Sequence, residues 1–394
     1  MDVSRYDCPP MSNLRIGEGA ALHTGEILEE LGLERVLLIT TGSLVGTDTL
    51  AQVRERAGDR VVEAFANSRP HLPAGMTDDL LAVADGLQPD GVLTLGGGTV
   101  TDGGKAVAAG LATGARSASE LYEYRICFTY PDVVEMTPMT GPFIPQVAIP
   151  TTLSAAEYDG VFGMTTDGVK DLYLDLGIVP DVVVLDPDVT RSTPRWLWAS
   201  TGVRALDHAV ETYLSSKPTA VTDACAVAAI KKLYAELPAT LDDDGEAREE
   251  RTSCLVAGWL SMIGVHNVFL GLSHGIGHQL GARCGVPHGQ TSCIMLPVVL
   301  ELMEERSPER MALLARNLGL VGEDASTGDA ASALTRSVTE FISSLGVPMR
   351  LSEVGVGREM FHELAEEAMG DMAVASSPLE VDARTIVGLL ERAS

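Results

Sequence analysis

From about residue 14 to residue 190 the chain alternates short apolar, β-branched runs with amphipathic stretches, which is the pattern of an α/β layer fold. The clearest runs are RVLLITT at 35–41, GVLTL at 91–95, QVAIP at 146–150 and DVVVLD at 181–186. Such uninterrupted runs predict strands buried on both faces, hence a parallel sheet covered by helices. Helical periodicity falls at 25–31 and 47–57, and the stretch 117–145 carries no readable period. After Pro194 the pattern changes to Ala- and Leu-rich amphipathic segments, among them 222–237, 307–318 and 329–345, with no strand pattern. The reading is an α/β domain over 1–190 followed by an all-α domain over 191–394, each long enough for its own core.

Within the first domain, LTLGGGTVTDGGKA is strand, glycine turn and helix start. Gly96, Gly97 and Gly98 let a backbone approach a pyrophosphate closely, and the helix start offers N–H groups and a partial positive charge. Thr99 and Thr101 can cap that helix or donate to phosphate, with Asp102 beside them. A triple glycine alone is equally a tight turn. It gains weight beside a second strand end, PTTLSAAE, whose Thr151, Thr152 and Ser154 could line the same crevice. The first strand closes on Thr41, where an acid would bind an adenosine ribose. NADH and NADPH both stay open.

In the second domain four of the eight histidines fall in three short motifs, GVRALDHAVE, SHGIGH and PHG. Arg204 and His208 stand four apart on one helix face, and His274 and His278 form a second such pair, with His288 ten residues on. Imidazole serves equally as metal ligand and as proton carrier, so the cluster alone does not choose. The same histidines could instead be satisfied core residues among helix-packing glycines.

Composition narrows the classes. A formal charge of −27 argues against nucleic-acid or anionic-membrane partners, and an anionic substrate then needs a local positive pocket. Lysine is rare, with five in the chain, so a single Lys near a motif is notable. The acidic run at 242–246 reads as a solvated loop and helix start. No apolar run reaches bilayer length, and the N-terminus, with Asp2, Arg5 and Asp7, has no signal-peptide core, so the expected location is cytoplasmic. Six scattered cysteines without CxxC spacing argue against a disulfide framework or structural zinc.

Together, GGGTVTDGGKA, PTTLSAAE, DVVVLDP, TGVRALDHAVE, SHGIGHQLG and VPHGQTSCIMLP resemble the iron-containing (group III) alcohol dehydrogenase family, in order and spacing. The short PTTLSAAE, followed by GMTTDGVK, is similar to the maleylacetate reductase branch. The resemblance implies a dehydroquinate synthase-like architecture: an N-terminal dinucleotide-binding domain, a helical C-terminal domain, a cleft between them, and a dimer. In metal-dependent members an Asp and three His hold iron or zinc. The matching positions are Arg204, His208, His274 and His288, so the carboxylate is replaced by a cation. His278 matches a non-ligand histidine near the reacting carbon.

A guanidinium ~4 Å from a divalent cation, at an effective dielectric of about 20, repels it by roughly 8 kcal/mol. The expectation is therefore a metal-independent, NADH- or NADPH-dependent reductase of a small carbonyl substrate. Arg204, with His208, His274 or His288, would stabilise the alkoxide, and His278 or His274 would deliver the proton. Arg204 could instead grip a carboxylate, which favours an oxo acid. Three alternatives stand beside it: an iron- or zinc-dependent alcohol dehydrogenase, an NAD-using lyase of the dehydroquinate synthase type, and a non-catalytic nucleotide-binding protein.

Overall fold

The computed structural model describes Tyr6 and residues 13–129, 133–242 and 246–394. Asp2, Arg5, Asp7 and Cys8 of the N-terminal segment, and Asp243, Asp244 and Gly245 of the acidic run, lie outside the described residues. The strands are β1 (Asn13–Ile16), β2 (Val36–Thr40), β3 (Val61–Phe65), β4 (Gly91–Gly96), β5 (Cys127–Thr129), β6 (Val133–Glu135), β7 (Gln146–Pro150), β8 (Val161–Thr166), β9 (Val169–Leu174) and β10 (Val182–Leu185). Six of them form one parallel sheet in the order β1-β10-β7-β4-β2-β3. Its four inner strands are the four apolar runs of the sequence, each buried along its whole length.

Helices α1 (Thr24–Glu30) and α2 (Asp48–Ala57) cover one face of the sheet, and α3 (Ala74–Leu87) and α4 (Gly98–Thr113) the other, with a short α5 (Ala118–Leu121). Strand β2 serves both layers by its period of two. Leu37 and Ile39 join Met76, Leu80 and Val107, while Val36 and Leu38 join Ile27, Leu28 and Val53. The unreadable stretch contains α5 and the antiparallel β5–β6 hairpin, and β8 pairs with β9 in a second hairpin. Both hairpins escaped the sequence reading because neither buries a continuous apolar run.

The rest of the chain is helical: α6 (Pro187–Thr190), α7 (Arg195–Leu214), α8 (Ala220–Glu236), α9 (Arg248–Met262), α10 (Val265–Val268), α11 (Leu272–Cys284), α12 (His288–Arg306), α13 (Pro308–Leu318), α14 (Thr327–Ser344), α15 (Phe361–Ala368), α16 (Met372–Ser376) and α17 (Ala383–Arg392). Helix α7 is the hub. Every residue from Trp198 to Leu214 is buried, so its polar side chains need partners inside the protein wherever they point. One continuous core joins α7, α9, α11 and α12 to Ala148, Val183 and Leu185 of the sheet, which fixes the helical half against the strand ends. Among the described residues no single helix is long and apolar enough to cross a membrane.

Candidate active site

A cleft of about 1170 Å³ runs from the carboxyl ends of β2 and β4 to α7, α11 and α12. At the sheet end, Gly96 pairs with Pro150, and the Thr151 N–H donates to the Gly96 carbonyl at 2.9 Å. That register brings the two sequence motifs side by side. Gly97 is the N-cap of α4 and has no side-chain cap, so the first-turn N–H groups, which a helix cannot satisfy internally, face the crevice. A Cβ on Gly97 would meet Thr152 Oγ1 at 3.2 Å, and one on Gly98 would meet Ser154 Oγ at 3.0 Å, so only bare backbone leaves this cradle open.

Thr41, Gly97, Gly98, Thr99, Asp102, Thr151, Thr152 and Ser154 all line the cleft. Gly96 and Thr101 stand behind the wall. A Cβ on Gly96 would lie 2.6 Å from Val100, and Thr101 is buried with its carbonyl accepting from Gln146 Nε2 at 3.3 Å. Lys105, fully buried, spends its ammonium on Ala156 O, Asp159 Oδ1 and Val161 O at 2.5, 2.6 and 2.7 Å. It anchors the PTTLSAAE loop to α4 and has no donor left for a ligand. These residues fit a dinucleotide: the bare N–H groups of the glycine cradle would hold its pyrophosphate, and Thr41 lines the same cleft.

At the helical end, Arg204, His208, His278 and His288 line the same cleft. His274 does not reach the cleft wall; it is fully buried behind His208, with the two rings stacked at 4.7 Å. Its Nδ1 donates to Glu211 Oε2 at 2.6 Å, and Glu211 also accepts the N–H groups of Gly271 and Ser273. The His278 Nδ1 donates to Asp371 Oδ2 at 2.8 Å, leaving Nε2 to the cleft. Gly289 allows α12 to start against α7, since a Cβ there would sit 2.6 Å from the Ser200 backbone. His288 is thereby brought into the group.

Arg204 is buried, and its Nη1 donates to Ser292 Oγ at 3.1 Å. Ser292 turns its own hydroxyl toward Asp207, which also accepts from Ser273 Oγ at 2.7 Å. Arg204 and Asp207, three apart on α7, thus balance each other through a serine. Burial raises Asp207 to about 6, with Arg204 pulling it back, and raises Glu211 well above the usual carboxylate range. Burial, then Arg204, holds His208 and His274 far below the usual imidazole range. Burial also lowers His278, although Asp371 works against it.

Four further groups were not singled out as site residues by the sequence. Asp371 lies in the C-terminal helices, and Ser292 inside an apolar helix. Lys170, on β9, places Nζ 3.1 Å from His288 Nε2, and burial pushes its ammonium down to about 8. His71 lines the cleft with its ring edge against His288, centroids 4.8 Å apart, and burial lowers it to about 4. Only the scarcity of lysine pointed toward Lys170.

A divalent metal does not fit these residues. Among the described residues the His274 Nε2, the His208 Nδ1 and the His288 Nδ1 are buried without a hydrogen-bond partner, which favours a ligand there. Against it stand two cations, Arg204 among His208 and His274, and Lys170 on His288. Asp207, Glu211 and His274 come together tightly, yet the 2.6 Å Nδ1 to Oε2 contact is a hydrogen bond that leaves no room for an ion between its atoms.

Residues 11–187 match the profile described as iron-containing alcohol dehydrogenase, and residues 198–394 match the C-terminal profile of the Fe-containing alcohol dehydrogenase family. The chain belongs to the iron-containing alcohol dehydrogenase family. It is 31% identical to dehydrogenase FUM7 of Gibberella moniliformis over 92% of each chain. Maleylacetate reductase of Rhizobium sp. strain MTP-10005 is 28% identical over 96% of this chain and 94% of its own. The crystal structure of a 1,3-propanediol oxidoreductase has a TM-score of 0.87 at 28% identity, covering 99% of this chain and all of the other. The parallel sheet with a helical second half is the fold these members share. As a member of the family the chain is an oxidoreductase acting on CH–OH or C=O groups.

Proposed function

We propose that this protein is an NADH- or NADPH-dependent reductase that transfers a hydride to the carbonyl of a small, carboxylate-bearing substrate, with Arg204 acting in place of a catalytic metal. The observation that carries the reading is the buried guanidinium, lining the cleft among His208, His278 and His288, at the position where the family resemblance implies an acidic metal ligand. When bound, the reduced nicotinamide supplies the hydride. Gly97, Gly98 and Thr99 receive the pyrophosphate, and Thr151, Thr152 and Ser154 close the crevice beside it. Arg204 meets the negative charge that grows on the carbonyl oxygen, in a site where donors are fixed before the reaction begins. His278 delivers the proton from Nε2, with Asp371 holding Nδ1 and so setting the tautomer. His274, walled off behind His208, orders the acids beneath the site instead of touching substrate.

A metal-dependent alcohol dehydrogenase is the second reading, favoured by the partnerless Nε2 of His274. Fluorescence titration with both reduced nicotinamides, on protein analysed for metal and followed by turnover of short oxo acids and aldehydes, separates the two. The expected result is nicotinamide oxidation that survives chelation. One equivalent of iron or zinc, removed with loss of activity, overturns the metal-free reading.

A further inference from the structure

Two lysines stand in opposite circumstances, Lys170 lining the cleft and Lys105 fully buried behind its wall. Lys105 has three acceptors for three donors, whereas Lys170, among the described residues, has a single hydrogen-bond partner, the Nε2 of His288. Asp102, Asp371 and Asp159 act on Lys170 only from beyond contact. Two ammonium donors therefore face the cleft. Lys170 is aimed by its hairpin. Its residue pairs with Thr165, and its side chain folds over Gly163, where a Cβ would fall 2.0 Å from Lys170 Cε.

Across from it His71 has both ring nitrogens buried, and among the described residues neither meets a partner in full hydrogen-bonding geometry, the Gly285 carbonyl being the one backbone acceptor close enough to act on the ring. Its backbone is held at φ 65°, followed by Leu72 at φ 45°, a left-handed pair that costs energy in residues with a side chain. Thr165 of the same hairpin fastens this turn, donating from Oγ1 to His71 O and from N to Leu72 O, each at 3.0 Å, while Leu72 is fully buried. Gly281 admits the rings of His71 and His288 together, since a Cβ there would lie 3.0 Å from both. Strain, a missing side chain and two unsatisfied polar groups thus converge on one spot beside Arg204, whose own charge is already balanced by Asp207 through Ser292.

We infer that Lys170 and His71 form an anion subsite that takes the substrate's carboxylate, leaving Arg204 for the reacting oxygen. This rests on the reductase reading and settles which cation serves which end of the substrate. The ammonium pairs with the carboxylate, and a ring N–H of His71 donates to its second oxygen. No bond to carbon is made or broken at this subsite, so its loss weakens substrate binding and spares the chemical step.

The test compares a short oxo acid with its uncharged methyl ester at saturating nicotinamide. Lys170→Met is expected to raise KM for the acid roughly ten- to hundredfold, the usual worth of a charge-assisted contact. KM and kcat for the ester, and nicotinamide affinity, stay unchanged. Lys170→Arg keeps most of the preference, and Gly163→Ala, which displaces the Lys170 side chain while leaving the lysine in place, reproduces the loss. His71→Asn, which tolerates the left-handed backbone, gives a smaller loss of the same kind. Equal losses for acid and ester, or weakened nicotinamide binding with the acid preference intact, overturn the proposal. Calorimetric titration of the nicotinamide complex with succinate as a non-reacting probe asks the same question without turnover. Binding lost in Lys170→Met supports the subsite, and binding unchanged overturns it. A wild-type protein that turns over neither substrate yet binds succinate through Lys170 sinks the reductase reading alone.

Discussion

The imidazole of His278 and the carboxylate of Asp371 meet at 2.8 Å across 93 residues of sequence, joining α11 to the cap of α16. The bond fixes which nitrogen of His278 is free for the cleft.

His278→Ala is expected to lower kcat by about 10²- to 10⁴-fold, the range of a lost proton donor. Burial leaves the imidazole below its ordinary value, so protonated His278 gains population only as pH falls, and the reduction rate rises on the acid side. Asp371→Asn removes the carboxylate that supports the imidazolium. It should move that profile to still lower pH, read as kcat/KM against pH. Asp371 Oδ1 also caps α16 by accepting from Ala373 N at 2.9 Å, a role that an asparagine oxygen fills about as well, so thermal melting is expected to change little.

Arg204→Asp replaces the cation among His208, His274 and His288 with a carboxylate. Zinc binding is expected to be negligible in the wild type and to reach micromolar or tighter in the variant, by calorimetry and elemental analysis. A wild type that binds as tightly as the variant contradicts the account of Arg204.

Glu157 is buried in the PTTLSAAE loop, and burial raises it from 4.5 to about 7. The folded protein therefore holds this proton after the unfolded chain has released it. Stability falls as pH climbs from about 4.5 to about 7 and then levels, a difference of about 3 kcal/mol. Glu157→Gln should match the wild type near pH 4.5 and exceed it by about that amount above pH 7. Denaturant unfolding at the two pH values reads the difference directly.

Thr41 follows β2 at the sheet end of the cleft, which Ser43, Ser68 and Arg69 also line and where the proposed function places the adenosine. Thr41→Asp supplies a carboxylate that accepts from a ribose 2′-hydroxyl and repels a 2′-phosphate. The ratio of kcat/KM for NADH over NADPH is expected to rise by roughly tenfold or more.

The inner sheet was legible because Val36–Thr40, Gly91–Gly96, Gln146–Pro150 and Val182–Leu185 are apolar at successive positions, a pattern that burial on both faces demands. The edge strands β1 and β3 carry exposed positions and left no such trace. Helices α2, α8, α13 and α14 fell within two residues of the starts that their amphipathic periodicity predicts, and Thr47, Thr219 and Ser326 cap three of them. At the site, the histidine motifs and glycine turn declared themselves by local spacing. Lys170, His71, Ser292 and Asp371 did not, because each acts through a partner more than 80 residues away in sequence. His274 misled for a related reason. Spacing put it on a face with His278, but α11 is buried on several sides, so a shared face does not mean shared access to the cleft.

The guanidinium on α7 is bound to its protein by carbon–carbon bonds and tethered to Asp207 through one hydroxyl. A charge installed this way cannot dissociate into a chelator, cannot be exchanged for a competing ion and has no oxidation state for oxygen to change. Whatever Arg204 contributes is copied with the gene, at full occupancy in every molecule from the moment the chain folds.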